Sequence, residues 1–236
     1  MARPRIHDLD LVLDATERRV AELGPGGVTV RSLAAVTGVS NGAIYHAFGS
    51  LPALLGRVWL RAATDFLDQQ AALVEVALSS AGPQAEAAVD AVVAAADAPA
   101  RFALRRPAAA RMLMTVSREQ LLGPQLPEEL ADELLALDKR LLALLSRLAR
   151  GLWDRSDAPS VAVITLCVVD VPTAVFSRAL TAPAAHRAAE GTALIDADSR
   201  ERLEAAVRAV LAIPPPGCRD RTETTGPRPE TTGHQP

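Results

Sequence analysis

Aromatic residues make up only 3% of this 236-residue chain, and lysine occurs once, as Lys139. The first shortage means that any core of the size this length allows is built mainly from Ala, Leu and Val, within a hydrophobic share of 49%. Ala and Leu have the best helix propensities, so the mixture favours helices. The second shortage leaves arginine as the basic residue, which reads as a GC-rich coding bias rather than as chemistry. Cysteine is scarce as well. Cys167 and Cys218 stand far apart without metal-like spacing, which argues against a disulfide framework and fits a reducing compartment. His7, His46, His186 and His234 are scattered, and there is no phosphate-binding loop and no supported Ser/His/Asp arrangement. The chain is therefore not read as an enzyme, and no metal or cofactor is expected. No apolar run of signal-peptide length opens the sequence, and the greasiest stretch, residues 161–169, is short for a bilayer and is followed by Asp170. A soluble cytoplasmic protein is the expectation.

The net charge of −3 argues mildly against a nucleic-acid partner, but its distribution matters more. Up to Arg61 seven arginines face five acids, a balance of +2, which leaves −5 for the remainder. Residues 23–64 contain no Asp or Glu at all. That gap gives a weakly positive surface without repulsive carboxylates.

Apolar positions at Leu9, Val12, Leu13, Val20 and Leu23 recur every three or four residues and predict a first helix, stopped by the GPGG turn at 24–27. Thr29 then reads as an N-cap, with Val28 and Leu33 at the spacing of a hydrophobic staple. After Gly38, a candidate left-handed turn residue, Ser40 repeats the device with Val39 and Ile44. Two short stapled helices around a glycine turn make a helix-turn-helix. Ser50 caps a longer helix, with Pro52 in its first turn, that runs to about Leu78. Further helices follow, punctuated by Pro99, Pro107 and GPQLP at 123–127. Leucines at 130, 134, 137, 141, 144 and 148 step by four and three, and Leu135, Leu142 and Leu145 widen the seam, so a buried bundle helix is expected. Residues 159–180 fit a strand or a helix. With no partner strand in view the helix is preferred, apolar nearly all round, with Pro172 as a kink and with one side free for a second subunit. A last amphipathic helix is expected at about 198–212, and the polar tail 214–236 is expected to be disordered.

The stretch VTVRSLAAVTGVSNGAIYHAFGSLPALL, residues 28–55, resembles the TetR family of bacterial transcriptional regulators. Thr29, Leu33, Ala34, Gly38, Val39, Ser40, Gly42, Ala43, Ile44, Tyr45, Phe48, Ser50 and Leu54 fall in register with the family pattern. The resemblance implies an all-α fold: a three-helix helix-turn-helix DNA-binding domain at residues 1–50 and a helical ligand-binding and dimerisation domain at 51–213, connected by the fourth helix. It implies a homodimer that reads a pseudo-palindromic double-stranded DNA operator and responds to a small-molecule effector, with repression as the family default. The DNA-contact set expected from register and chemistry is Thr29, Arg31, Ser40, Asn41, Gly42, Ala43, Tyr45 and His46, joined by Arg3 and Arg5 from an N-terminal arm reaching a minor groove. Ile44 and Phe48 are assigned to the core. For the effector, the large adaptable side chains Phe102, Met112, Met114, Trp153 and Phe176 are the candidates, and the dearth of aromatics suggests an apolar ligand.

Three usual family contacts are absent: Asn41 and Leu51 stand where lysine is common, and Ala47 where an aromatic or histidine is common. Fewer neutralised phosphates imply a shallower salt dependence, and leave open a family member that dimerises or senses ligand without specific DNA binding. The arm is then expected to carry much of the attraction. Deleting residues 1–5 should flatten the dependence of DNA affinity on salt, and an unchanged slope in a salt titration would dispose of that role.

Overall fold

The computed structural model describes residues 6–80, 82–117, 127–181 and 195–217; the side chains of residues 6–8 are not described. Arg3, Arg5, Cys218 and residues 218–236 of the tail lie outside the described residues. Among the described residues the chain is all helical. Helix α1 spans Ile6–Leu23, and after a 3-10 turn at Pro25–Gly27 come α2, Val30–Thr37, and α3, Asn41–Phe48. Helix α4 is Leu51–Leu78, α5 is Gln84–Arg105, α6 is Pro107–Thr115 and α7 is Glu128–Trp153. Helix α8, Ala158–Thr165, passes through a π turn at Leu166–Asp170 into α9, Val171–Thr181, and α10 is Ala197–Leu211.

The starts of the first helices follow local chemistry. Thr29 Oγ1 accepts from Ser32 N at 3.1 Å, and Thr29 N donates to Ser32 Oγ at 3.3 Å, a reciprocal box that satisfies two orphan amides. Ser40 and Ser50 accept from Ala43 N and Ala53 N, both at 3.2 Å. Gly38 sits at φ 73°, the left-handed conformation that ends α2 and that side chains resist. Val28, Leu33, Ile44 and Phe48 are buried against Val12, Ala15 and Val20 of α1, so both staples close onto one small core.

Helix α5 is the centre of the larger domain and packs against α4, α6, α7, α9 and α10. Its buried face is almost all alanine, including Ala88, Ala91, Ala95, Ala96 and Ala103, which lets neighbouring backbones approach closely. Pro99 was expected to punctuate the chain here, yet α5 runs through it to Arg105. A proline has no N–H, so the carbonyl of Ala95 loses its helical donor. Gln70, buried on α4, supplies one instead: its Nε2 donates to Ala95 O at 2.9 Å. Asp97, also buried, bonds Arg101 and takes a bidentate pair from Arg200, which ties α10 to α5.

Residues 158–181 form one helix of 24 residues, longer than the 161–169 run suggested, with a window hydropathy of 1.9 that would satisfy the length and composition of a membrane span. One side of it packs against α5, α6, α7 and α10, and about a third of that window is buried. The kink expected at Pro172 takes the form of the π turn: Val171 N bonds Leu166 O, stepping the ladder past the missing amide. Cys167 in this turn is fully buried, and burial pushes its thiol up to about 11, so it serves as a small apolar group. On α7, Leu130, Leu134, Leu137 and Leu148 of the seam are buried, Leu141 and Leu144 are half-buried, and Leu145, expected to widen the seam, is buried as well. Leu135 and Leu142, expected to widen the buried seam, are 46% and 55% exposed.

Because Leu33 is wholly buried between α1 and α3, Leu33→Ala should cost about 2–5 kcal/mol. Tyr45 is the chain's single tyrosine and lies in this small core's outer helix, whereas both tryptophans lie beyond it. In urea, the tyrosine transition should move to lower concentration; coincidence with the wild-type curve would show that the staples do not hold the module.

Candidate nucleic-acid interface and effector cavity

The outer face of α2 and α3 gathers most of the expected contact set. Thr29, Arg31, Ser40, Asn41, Gly42, Tyr45 and His46 are exposed, and Ala43 is half-buried. Ile44 and Phe48, the residues reserved for the core, are buried. Tyr45 is 51% exposed, so its phenol serves no packing role that would require its hydroxyl inside. The caps at Thr29 and Ser40 use an acceptor lone pair for the helix amide and leave the O–H as a donor. A helix N-terminus so arranged presents amides, hydroxyl and positive dipole end together, which suits a phosphate oxygen.

Gly42 has no internal reason to be glycine. Its backbone is not in the left-handed region, and a Cβ built there meets nothing within 4 Å. Glycine inside a helix costs roughly 0.5–1 kcal/mol relative to alanine. An exposed glycine at that cost, at the tip of α3, leaves room for another surface to approach the backbone.

The cations sort themselves differently from the sequence count. Arg61, one of the seven arginines in the positive balance, is turned inward, within 2.8 Å of Asp14 and 3.3 Å of Glu17. Arg31 and Arg57 are exposed, and among the described residues neither forms an ion pair. Arg57, near the start of α4, stands outside the expected contact set as a second exposed arginine of the acid-free run.

A second site lies in the helical bundle. A cavity of about 270 Å³ is bounded by Trp59, Ala63, Phe66, Leu67 and Gln70 of α4, Pro99 and Phe102 of α5, and Ala110, Leu113 and Met114 of α6. Leu137, Asp138 and Leu141 of α7 and Val168, Val169, Thr173 and Leu180 complete it. Phe66 and Phe102 meet edge to face at 5.6 Å, which fixes one wall. Of the expected ligand residues, Phe102 and Met114 line this space; Met112, Trp153 and Phe176 do not, and pack in the surrounding core. Trp59, Phe66 and Gln70 were missed because they belong to the helix read as a connector. Both irregular backbone segments, Pro99 and the π turn, border the cavity. Gln70 Oε1 is buried without a hydrogen-bond partner, a condition that typically costs about 1–3 kcal/mol.

Between the two sites runs a cluster of charges. Arg106, at the head of α6, bonds Glu17 of α1 at 2.6 Å and also pairs with Asp65 of α4. Glu17 is 7% exposed and is shared with Arg61. At the far end of α6, Trp59 Nε1 donates to Val116 O at 3.0 Å. Helix α6 is thus held to α1 at one end and to a cavity-lining tryptophan at the other.

The family model described as "Bacterial regulatory proteins, tetR family" matches residues 12–58, from within α1 to the first turns of α4. No curated protein matches the sequence. Among solved structures, a regulatory protein of the tetR family from Rhodococcus RHA1 superposes with a TM-score of 0.55 at 17% identity, covering 88% of this chain and 97% of that one. The TetR-family transcriptional regulator PfmR from Thermus thermophilus gives 0.52 at 20% identity, with 86% and 94% covered. FadR from Bacillus subtilis, solved in complex with stearoyl-CoA, gives 0.52 at 16% identity, with 86% and 95% covered. At these identities the likeness concerns the fold alone, over 86% to 88% of this chain.

Gly42→Ala should leave the fold as stable or up to about 1 kcal/mol more stable, while weakening binding to DNA. Thermal melts paired with DNA titrations check this. Unchanged DNA affinity would show that no surface approaches this point.

Proposed function

Starting from a chain that belongs, through its N-terminal module, to the TetR family of bacterial regulatory proteins, we propose a ligand-responsive regulator, a repressor that binds a pseudo-palindromic operator as a homodimer and leaves it when a small molecule fills the cavity. In this reading residues 1–50 read DNA and residues 51–213 sense and dimerise. The observation that carries it is the twice-capped helix-turn-helix, whose outward face bears Asn41, Gly42, Tyr45 and His46 and is free of carboxylates. Base-edge and phosphate contacts then come from Asn41, Tyr45, His46 and Arg31, with Arg3 and Arg5 supplying charge from the arm.

The exposed Leu135 and Leu142 on α7 and Leu166 at the start of the π turn support the dimer, because an apolar flank on a bundle helix gains by meeting a second copy. Two-fold pairing would set the spacing of the two recognition helices. Helix α6 supports the coupling. Its middle borders the cavity, and its head holds α1 through Arg106 and Glu17, so a ligand that displaces α6 moves the DNA-reading module. Turning a 99:1 preference into 1:99 requires about 10⁴-fold tighter ligand binding to the released state. Among the described residues no Lys, Arg or His borders this cavity to receive a phosphate such as that of the stearoyl-CoA bound by the FadR structure.

A gel-shift with DNA upstream of the protein's own gene tests the reading. Specific retention is expected, weakened about tenfold or more by Leu113→Trp, which fills the cavity from α6 in place of a ligand. No retention even at low salt would instead identify a family member that dimerises or senses ligand without reading DNA, as the missing lysines allow.

A further inference from the structure

Helix α5 carries Asp97, Arg101 and Arg105 one turn apart, so the three stand on one face. Asp97 is buried, and its carboxylate holds two guanidiniums at once. Arg101 Nε donates to Oδ2 at 2.7 Å, and from α10 Arg200 donates through Nε at 2.7 Å and Nη2 at 2.5 Å. One acid thus fixes two cations in place without neutralising both. Arg105 has no carboxylate. Among the described residues it forms no ion pair, and its guanidinium lies 5.9 Å from the centroid of the Phe102 ring. The dipole at the end of α5 favours a cation at Arg105, but does not offset the repulsion between Arg101 and Arg105.

The three arginines line one open groove together with Gln69 and Leu73 of α4 and Leu104 of α5, which is 57% exposed. The neighbouring acids are committed elsewhere. Asp65, Asp68 and Glu75 of α4 hold Arg106, Arg140 and Arg147, while Asp198 and Glu204 of α10 hold Arg202 and Arg208. Glu201, next to Arg200 in the chain, is not one of the described walls. Both terminal nitrogens of Arg101, Nη1 of Arg200 and the whole fork of Arg105 keep N–H groups to give.

We propose that this groove is a second ligand site and that it takes a small molecule bearing a phosphate or pyrophosphate group. Guanidinium forks match phosphate oxygens in pairs. A terminal phosphate offers three oxygens to donors arriving from two helices, where a carboxylate offers two. Asp97 and the Phe102 ring already order the arginines, so less side-chain freedom is lost on binding. Exposed Leu104 gives the uncharged part of the ligand an apolar rest. The groove shares no described wall residue with the cavity, so the site stands apart from the reading of that cavity as the sensor.

Inorganic pyrophosphate is the probe, titrated by calorimetry into the full chain at low salt. Arg105→Gln removes a guanidinium that no carboxylate holds, so the melt without probe should barely move. Pyrophosphate affinity should fall about tenfold or more, the loss expected for one charge-assisted bond. Arg105→Lys keeps the charge without the fork and should weaken binding by less. Arg31→Gln takes the same charge from the DNA-reading face and should leave the affinity unchanged. Malonate, a dianion without phosphate oxygens, should bind more weakly than pyrophosphate. No pyrophosphate binding, an unchanged affinity in both Arg105 variants, or an equal loss in Arg31→Gln would overturn the site. Malonate binding as tightly as pyrophosphate would overturn the ligand class.

Discussion

A proline in the middle of a buried helix is the constraint around which the larger domain is arranged. Pro99 takes a hydrogen bond away from α5, and a bare carbonyl at Ala95 is not tolerable in an alanine-packed interior. Gln70 answers from α4, which fixes the register of the two helices that share the most extensive contact in the fold. Gln70 and Pro99 both border the space between α4, α5, α6 and α7. A local backbone defect is thus answered by a helix registration beside the cavity.

From that cavity the connection to DNA is short. Helix α6 is one short helix, clamped by Trp59 near its end and by the Glu17–Arg106 bond at its head. Charged partners suit the second contact, since half-buried pairs hold orientation more than they add stability. The DNA face itself relies little on charge. Its helix ends, hydroxyls and bare Gly42 offer shape and directional donors, and Arg61, counted by sequence as a cation for DNA, is spent on holding α1 to α4.

The N-terminal module was legible in the sequence because its determinants are local. A cap at Thr29 or Ser40, a staple partner four or five residues on and a glycine at Gly38 all act within one turn, and each stands where the pattern put it. Ser32, which completes the box at Thr29, escaped notice because Glu or Gln is the usual partner. The cavity was less legible because it depends on contacts across the chain. Reading Pro99 as a break was reasonable from the residue alone, and only Gln70, distant in sequence, explains why the helix survives. Met112 and Phe176 look identical to Met114 and Phe102 in a sequence, and differ only in which way their helices turn them. Leu135 and Leu142 fit a wider buried stripe by spacing, yet both are exposed, because spacing along one helix does not say where its neighbours end.

Occupancy of the cavity and occupancy of DNA oppose each other through α6 in the mechanism proposed. Thermodynamic linkage makes that reciprocal: whatever factor a ligand removes from DNA affinity, DNA removes from ligand affinity. The direct test is the affinity of the protein for a small apolar probe such as 1-octanol, read by tryptophan emission, without DNA and with saturating DNA from its own upstream region. Octanol should bind more weakly on DNA, by the same factor as octanol weakens DNA binding. Equal affinity in both conditions would contradict the coupling.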